Sequence, residues 1–192
     1  MLIVSFNTRG LGGPQKKTSL KRLCNNLKPS VIMLQETMLE FLKAESIIKE
    51  LLKDWEVESL DSDGLSGGLI MDWSPAMLKI DSKKLESTLE TKIFDKQTGL
   101  NFTLLNVYSH FYERNTFSEK IKAEGVFNQP NVILGGDMNL TLTAGEGWGE
   151  KERQDSLALY FKIIFEKEHL GDVKPLKLET TWRNKRGGPQ AI

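Results

Sequence analysis

The sequence feature that most constrains this chain lies at residues 132–139 and reads VILGGDMN. Its three branched apolar residues predict a short buried strand, and the two glycines that follow predict the end of that strand. Asp137 and Asn139 come next, two residues apart. If the chain stays extended after the glycines, their side chains project from the same side of the strand end. The alternative is an Asx turn, in which Asp137 and Asn139 only hydrogen-bond their own backbone.

Other apolar runs also end in polar side chains that can bind a metal ion or a phosphate. Each run reads as a short strand, so each places its polar residues at a strand end. These residues are Asn7, Gln35 with Glu36, and Asn106 with Tyr108. Side chains held on neighbouring strand ends can share one cleft on a rigid support. The sequence therefore predicts a site assembled from distant parts of the chain.

Amphipathic helices are predicted between and after these strands. The first begins at Pro14 and ends before Pro29, because proline suits the first turn of a helix and terminates the last. The clearest helix has a continuous apolar stripe over residues 44–55. Two further helices are predicted around residues 116–124 and 157–165.

Residues 56–108 show strand patterns instead. At residues 89–93 the inward positions alternate with Glu90 and Lys92, which predicts a half-exposed antiparallel strand. Residues 95–99 read as a hairpin connection, and residues 180–182 read as the start of a further strand. Apolar strands leading into helices, beside an antiparallel region, predict stacked sheets with helices outside them.

Charge is balanced over the 192 residues, with 26 basic and 26 acidic side chains. No global field therefore favours a polyanion. The first 35 residues, however, contain six basic residues and no acidic one. This segment predicts either a surface for a phosphate-bearing ligand or an ordinary solvated face.

Length and cysteine content indicate a single domain over residues 1–192 in a reducing compartment. Cys24 is the only cysteine, so no intramolecular disulfide can form. The opening residues lack the basic lead and the length of a signal peptide, and no apolar run is long enough to span a membrane. The sequence predicts a soluble intracellular protein with no membrane partner.

The set of strand-end residues, in this order, resembles the endonuclease/exonuclease/phosphatase superfamily. Within that superfamily the chain is most similar to the endonuclease domain of LINE-type (non-LTR) retrotransposons of plants. The resemblance covers essentially the whole chain. The segments that carry it are FNTRGLG at 6–12, QET at 35–37, GGL at 67–69, EGWG at 146–149 and TWRN at 181–184.

The resemblance implies an α/β (α+β) fold, a four-layer α-β-β-α sandwich with two mixed β-sheets flanked by helices. It also implies hydrolysis of a phosphodiester that depends on Mg²⁺, with Mn²⁺ as an alternative. The reaction in this subgroup is the nicking of one DNA strand. The implied partners are DNA and a downstream reverse transcriptase region in a longer polyprotein, and the implied location is nuclear or cytoplasmic.

The resemblance also implies roles for residues on the first two strand ends. Glu36 would be the carboxylate that binds the metal, with Asn7 beside it. Mg²⁺ keeps most of its waters and typically uses one or two protein carboxylates, which suits this pair. Arg9 and Lys16 would contact the substrate. Without the resemblance, Glu36 could equally be a surface residue that ends a strand.

The remaining catalytic roles fall on the later strand ends. By the resemblance, Asp137 would orient or deprotonate the attacking water, and Asn139 would position that water or a phosphate oxygen. Tyr108 would donate a hydrogen bond to the phosphate from the opposite side. Taken alone, Tyr108 at a strand end reads more simply as a core aromatic.

The family continues past its Thr-Trp strand to a Leu-Asp-Arg-type segment and a Ser-Asp-His motif, which this sequence does not contain. Those segments supply a phosphate-stabilising histidine and two aspartates, together with the last strands of the fold. The expectation is therefore a weak or inactive fragment with its last strands missing. His110 and His169 are the only histidines, and a divergent loop and a helix end explain them better than catalysis.

Three hypotheses follow. The first is a metal-dependent DNA endonuclease that needs the absent segment for full activity. The second is a catalytically dead, truncated remnant with at most weak nucleic-acid binding. The third keeps the superfamily but changes the substrate to a phosphoinositide or another small phosphoester.

Overall fold

The computed structural model describes residues 1–63, 66–143, 146, 155–173 and 176. The chain divides into two compact units, Met1–Met138 and Asn139–Ile192. The helices and strands of the first unit are β1 (Ile3–Asn7), α1 (Pro14–Leu27), β2 (Val31–Gln35), α2 (Phe41–Leu51), β3 (Glu56–Asp63), β4 (Ser66–Trp73), β5 (Leu78–Lys84), β6 (Thr88–Asp95), β7 (Asn101–Tyr108), α3 (Arg114–Ala123) and β8 (Val132–Asp137). Short 3-10 turns at Phe111–Glu113 and Val126–Asn128 flank α3. The second unit contains α4 (Ala158–Lys167).

The strands form two mixed sheets. The first sheet has the order β1-β2-β4-β3, and the second has the order β5-β6-β7-β8. One parallel pair lies at the edge of each sheet, β1 with β2 and β7 with β8, and the other pairs are antiparallel. The sheets stack face to face with β1 and β2 against β8, and β4 against β6 and β7. Asn7 and Asp137, the last residues of β1 and β8, are joined by a hydrogen bond, so the carboxyl ends of both parallel pairs lie at the same end of the sandwich.

Two apolar clusters hold this unit together. Between the sheets lie Val31, Met33, Leu69, Met71, Trp73, Leu78, Leu89, Ile93 and Leu104. On the outer face of the first sheet, residues of α1 and α2 pack on strand residues. That cluster includes Leu20, Cys24, Ile32, Leu34, Ala44, Ile47, Ile48 and Ile70. The alternation of inward and outward side chains along β2 and β4 supplies both clusters from the same strands.

The helices begin and end close to the predicted positions. Pro14 is the first residue of α1. Lys28, directly after the helix, caps it in the left-handed conformation and donates its backbone N–H to the Cys24 carbonyl at 2.8 Å. The apolar stripe predicted as one helix to residue 55 is longer than α2. The helix ends at Leu51, and Trp55 follows it while still packing on the same core.

The prediction that two glycines end the strand at residues 132–134 is wrong. The strand β8 continues through both glycines to Asp137. A Cβ on Gly135 would lie 2.4 Å from Met33 Cε, and one on Gly136 would lie 2.1 Å from the Val107 carbonyl oxygen. The glycines therefore permit close approach of neighbouring strands rather than a turn. The strand is also less buried than predicted, because it lies at the edge of its sheet among the described strands, and Ile133 is 43% exposed.

The half-exposed strand predicted at residues 89–93 is exposed on its outer face only in part. Lys92 is exposed, as predicted, but Glu90 is only 7% exposed. The strand β6 lies inside its sheet, between β5 and β7, and its first four residues are all buried.

The fold predicted from the sequence, an α/β sandwich of two mixed sheets flanked by helices, is confirmed. The strand predicted at residues 180–182 lies outside the described residues. Among the helices in the described part of the chain, none has the length and apolar content that a membrane span requires.

Candidate active site

Asn7 and Asp137 are in direct contact across the two sheets, although 130 positions separate them in the chain. The side-chain amide of Asn7 donates a hydrogen bond to Asp137 Oδ2 at 2.6 Å. Asn7 Oδ1 accepts a hydrogen bond from the backbone N–H of Arg9 at 3.0 Å. Because that N–H can only donate, it determines which end of the amide faces Asp137. The carboxylate is thus held in one orientation by a neighbouring strand end.

Tyr108 and Asp137 are the last residues of β7 and β8 and form the last pair in that parallel ladder. The backbone N–H of Ser109 donates to the Asp137 carbonyl at 2.9 Å, which extends the pairing by one residue. Both side chains are partly buried. The structure therefore brings Asn7, Tyr108 and Asp137 to one end of the sandwich.

Glu36 lies in a β-bulge directly after β2. Regular pairing of β2 with β4 ends at Leu34 and Ile70, and it resumes where the Thr37 N–H donates to the Gly68 carbonyl at 3.1 Å. Between these contacts the chain that continues β2 has two residues, whereas β4 has one. Two residues opposite one define a β-bulge. Glu36 has a φ of 49°, a conformation that is uncommon for a residue with a side chain.

The loop after β1 holds the backbone of Glu36. The Glu36 carbonyl accepts hydrogen bonds from the Gly10 N–H at 2.7 Å and from Thr8 Oγ1 at 3.0 Å. The preceding residue, Gln35, pairs with Asn7 in the β1–β2 ladder. Within the described residues, the Glu36 carboxylate accepts no hydrogen bond and makes no ion pair. The carboxylate is partly buried beside the strand end that carries Asn7.

The two predicted substrate-binding cations both belong to the segment after β1. Arg9 is exposed, has a φ of 47°, and donates its backbone N–H to Asn7. Lys16, in the first turn of α1, donates from Nζ to the Thr8 carbonyl at 2.5 Å. The ammonium of Lys16 therefore lies on the β1–α1 loop, where it satisfies a loop carbonyl.

Asn139 is the first residue of the second unit. Its φ of 48° means that the extended continuation assumed from the sequence does not reach this residue. Its role beside Asp137 stays a prediction.

The oxygen donors at these strand ends fit a hard divalent cation. Glu36 and Asp137 supply carboxylates, and Asn7 supplies an amide oxygen, which are the ligand types that Mg²⁺ prefers. The described residues contain no group of three or more histidine, cysteine or acidic side chains that could hold a metal by themselves. Mg²⁺ is typically bound by one or two carboxylates together with water and substrate oxygens, so this donor set suits it.

A cleft of about 290 Å³ lies beside Tyr108. Its walls include Gly67, Tyr108, His110 and Lys120. His110 Nδ1 accepts the backbone N–H of Tyr112 at 3.4 Å, so this histidine caps the 3-10 turn before α3. Lys120 forms an ion pair with Glu86 across the cleft wall. Both side chains have structural contacts that account for their positions.

The sequence predicted that Gln35 and Asn106 are presented at strand ends with the other polar residues, and the structure differs. They are buried between the sheets, 1% and 0% exposed. The alternation of side chains along β7 could have predicted the burial of Asn106. Asn106 shares its strand face with Leu104, which belongs to the core between the sheets. The bulge at Glu36 was also missed, and a single sequence contains no periodic signal for it.

No protein-family model matches the chain, and no curated protein sequence matches it. Solved structures do match. The chain is similar to an AP endonuclease from Leishmania major, with a TM-score of 0.67 and 15% identity over 86% of this chain and 66% of that enzyme. It is also similar to D. rerio TDP2 complexed with a single-strand DNA product, with a TM-score of 0.56 and 16% identity over 72% of this chain and 60% of that one.

A mannosyl-6-phosphatase from Bacteroides thetaiotaomicron has the same architecture, with a TM-score of 0.58 and 15% identity over 84% of this chain and 71% of that enzyme. The chain spans 60–71% of the length of these three structures. At these identities the likeness concerns the fold. The fold of this chain is the α/β sandwich of the endonuclease/exonuclease/phosphatase proteins.

Proposed function

We propose that this chain is a divalent-metal-dependent phosphodiesterase that nicks DNA, the endonuclease of a LINE-type retroelement. The observation that carries the proposal is the 2.6 Å hydrogen bond between Asn7 and Asp137, beside the bulge that carries Glu36. Strand ends from both sheets converge there, and a fold found in an AP endonuclease and in a DNA-bound TDP2 supports the substrate class. A reverse transcriptase region in a longer polyprotein, and action in the nucleus or cytoplasm, are part of the same proposal.

In this proposal Asp137 orients the attacking water and takes its proton. Asn7 holds the carboxylate of Asp137 through Oδ2, so the base has one orientation when the substrate arrives. Asn139 positions the water or a phosphate oxygen. Tyr108 lies next to Asp137 in the β7–β8 ladder, and its hydroxyl donates a hydrogen bond to the phosphate.

Glu36 and the amide oxygen of Asn7 would hold the metal, Mg²⁺ or Mn²⁺. When bound, the ion would offset charge on the scissile phosphate and on the leaving oxygen. Arg9 and Lys16 would add positive charge on the loop after β1, where the phosphate backbone of DNA would pass.

Plasmid nicking tests the proposal. We expect slow conversion of supercoiled to open-circular DNA by the 192-residue chain in Mg²⁺, and no conversion in EDTA. Asp137→Ala should slow this conversion by about 10²-fold or more, because it removes the base. Asp81→Asn, at an exposed position on β5, should leave the rate unchanged. Absence of EDTA-sensitive nicking, with DNA binding retained, would replace the proposal with the second hypothesis, a non-catalytic remnant.

Metal binding tests the assignment of Glu36. Titration of the chain with Mn²⁺ or Mg²⁺ in a calorimeter should show weak binding, which Glu36→Gln removes because the amide has no negative charge. Asp81→Asn is again the matched control, since it removes an exposed carboxylate from the same unit. An isotherm unchanged by Glu36→Gln would show that another group holds the metal.

A further inference from the structure

A buried pair of amide side chains crosses the gap between the two sheets, directly behind Glu36. Gln35 Nε2 donates to Asn106 Oδ1 at 2.7 Å. Asn106 Nδ2 donates to the carbonyl of Ile70 at 2.9 Å and to that of Leu34 at 3.3 Å. Gln35 Nε2 also donates to Ser5 Oγ at 3.1 Å. Through this pair, one side chain of the second sheet is tied to three strands of the first.

The chemistry of the acceptors leaves Asn106 one orientation. Two backbone carbonyls can only accept, so the NH₂ group of Asn106 must face them and its oxygen must face Gln35. The amide of Gln35 must then present its own NH₂ group to Asn106. A buried polar network that is satisfied in this way is rigid, because any movement leaves a group without a partner in a region that water does not reach.

The two carbonyls that Asn106 contacts belong to the last regular pair before the bulge. Leu34 and Ile70 are partners in the β2–β4 ladder, and the bulge begins at the next residue. The left-handed conformation of Glu36 costs free energy and persists only where the surroundings determine it. The hydrogen bonds from Asn106 secure one side of the bulge, and the loop contacts of Thr8 and Gly10 secure the other.

Apart from the hydrogen bond between Asn7 and Asp137, the other contacts between the sheets constrain the bulge less. The shared core is apolar, and apolar contacts are not directional. Another polar contact between the sheets, from Ser82 Oγ to Glu58 Oε2 at 3.1 Å, joins the edge strands β5 and β3, neither of which forms the bulge. Ser82 therefore offers a matched control for Asn106.

We propose that Asn106 is a positioning residue: from the second sheet it holds the β2 bulge and so sets the place of Glu36 relative to Tyr108 and Asp137. Asn106 is two residues from Tyr108 on one strand, and Gln35 is adjacent to Glu36 on the other. The network therefore ties together the two halves of the candidate active site. Its catalytic meaning rests on the proposed function, whereas its effect on the bulge does not.

Hydrogen exchange tests the effect on the bulge without metal or substrate. The double variant Gln35→Met/Asn106→Leu replaces both amides with apolar side chains of similar size, and it leaves the carbonyls of Leu34 and Ile70 without the Asn106 donor. We expect the Thr37 amide, bonded to Gly68, and the Gly10 amide, bonded to Glu36, to exchange at least about tenfold faster. The protected amides of the β5–β6 pair should keep their rates, and Ser82→Ala should change neither group.

Equal acceleration of every protected amide, or none at Thr37 and Gly10, would overturn the inference. If the double variant does not fold, Asn106→Ser provides the same comparison, because it removes the donor that reaches Leu34 and Ile70. A Mn²⁺ titration of the double variant then tests the link to function, with at least about tenfold weaker binding expected. A wild-type chain that binds no metal and nicks no DNA would refute the proposed function, while the exchange result would stand by itself.

Discussion

Replacing Gly136 with alanine is expected to lower the free energy of unfolding by about 3–5 kcal/mol. The added Cβ would lie 2.1 Å from the Val107 carbonyl oxygen and 2.8 Å from the Val107 nitrogen. Both are backbone atoms of the paired strand β7, so neither can move aside without breaking the ladder. Gly136 also has a φ of 134°, which side-chain-bearing residues rarely adopt. The close contacts of the added Cβ and the backbone conformation therefore both disfavour alanine at this position.

Thermal and urea unfolding measure this effect. At about 2–4 °C per kcal/mol for a chain of this size, the midpoint should fall by roughly 10 °C. Gly12→Ala is the matched control, because nothing lies within 4 Å of the place that its added Cβ would occupy, and it should change stability by less than about 0.5 kcal/mol. A Gly136→Ala midpoint within about 2 °C of the wild type would mean that β7 and β8 do not approach as closely as described.

Replacing Asp72 with asparagine is expected to stabilise the protein at neutral pH by about 1–3 kcal/mol. Asp72 is fully buried on β4, on the strand face that it shares with Ile70 beneath the helices. Neither carboxylate oxygen has a hydrogen-bond partner among the described residues. Burial raises the pKa of Asp72 well above its ordinary value, and the pKa of the Cys24 thiol is raised to about 11 by burial and by the nearby Asp72 charge.

The direction of the pH dependence follows from the raised pKa of Asp72. In the unfolded chain this carboxyl loses its proton near pH 4, whereas the folded chain retains the proton to higher pH. Between these two pKa values the folded state binds more protons, so stability falls as pH rises. The contribution of Asp72 to the free energy of unfolding is most favourable below about pH 4 and least favourable above the folded-state pKa of this carboxyl.

Denaturant unfolding at pH 5 and pH 8 tests this prediction. The increase in the free energy of unfolding on Asp72→Asn should be larger at pH 8 than at pH 5. The wild-type carboxyl becomes less favourable as pH rises, whereas asparagine does not titrate. Asp81→Asn, which removes an exposed carboxyl from the same unit, should show a difference between the two pH values of less than about 0.5 kcal/mol. A destabilising Asp72→Asn at pH 8 would indicate that the carboxylate has a favourable partner and a role that burial alone does not suggest.

The ends of the apolar runs in the sequence include most of the residues that the fold brings to one end. Apolar runs ending in Asn7, Glu36, Tyr108 and Asp137 are easy to see, because strands are short and their termination is a local property. The structure puts these residues at the carboxyl ends of the two parallel pairs. Their catalytic and metal-binding roles stay predictions, as does the role of Asn139.

Local sequence patterns mislead where packing overrides local preference. Glycines usually interrupt a strand, yet Gly135 and Gly136 continue β8, because a close neighbour requires the absence of a Cβ. The sequence placed Gln35 and Asn106 among the polar residues presented at strand ends, yet they are buried as each other's hydrogen-bond partners. In both cases the deciding partner is far away in the chain, and a local pattern contains no information about it.

Periodicity and local chemistry thus specify the order of helices and strands, the stacked-sheet architecture and the residues that stand at strand ends. The tertiary structure alone decided that Asn7 touches Asp137, that a bulge carries Glu36, and that Asn106 reaches across the sheets to that bulge. The physical reason is that helix and strand propensities act over a few neighbouring residues. Register, bulges and close approach, by contrast, are settled only when segments as far as 130 positions apart pack against each other.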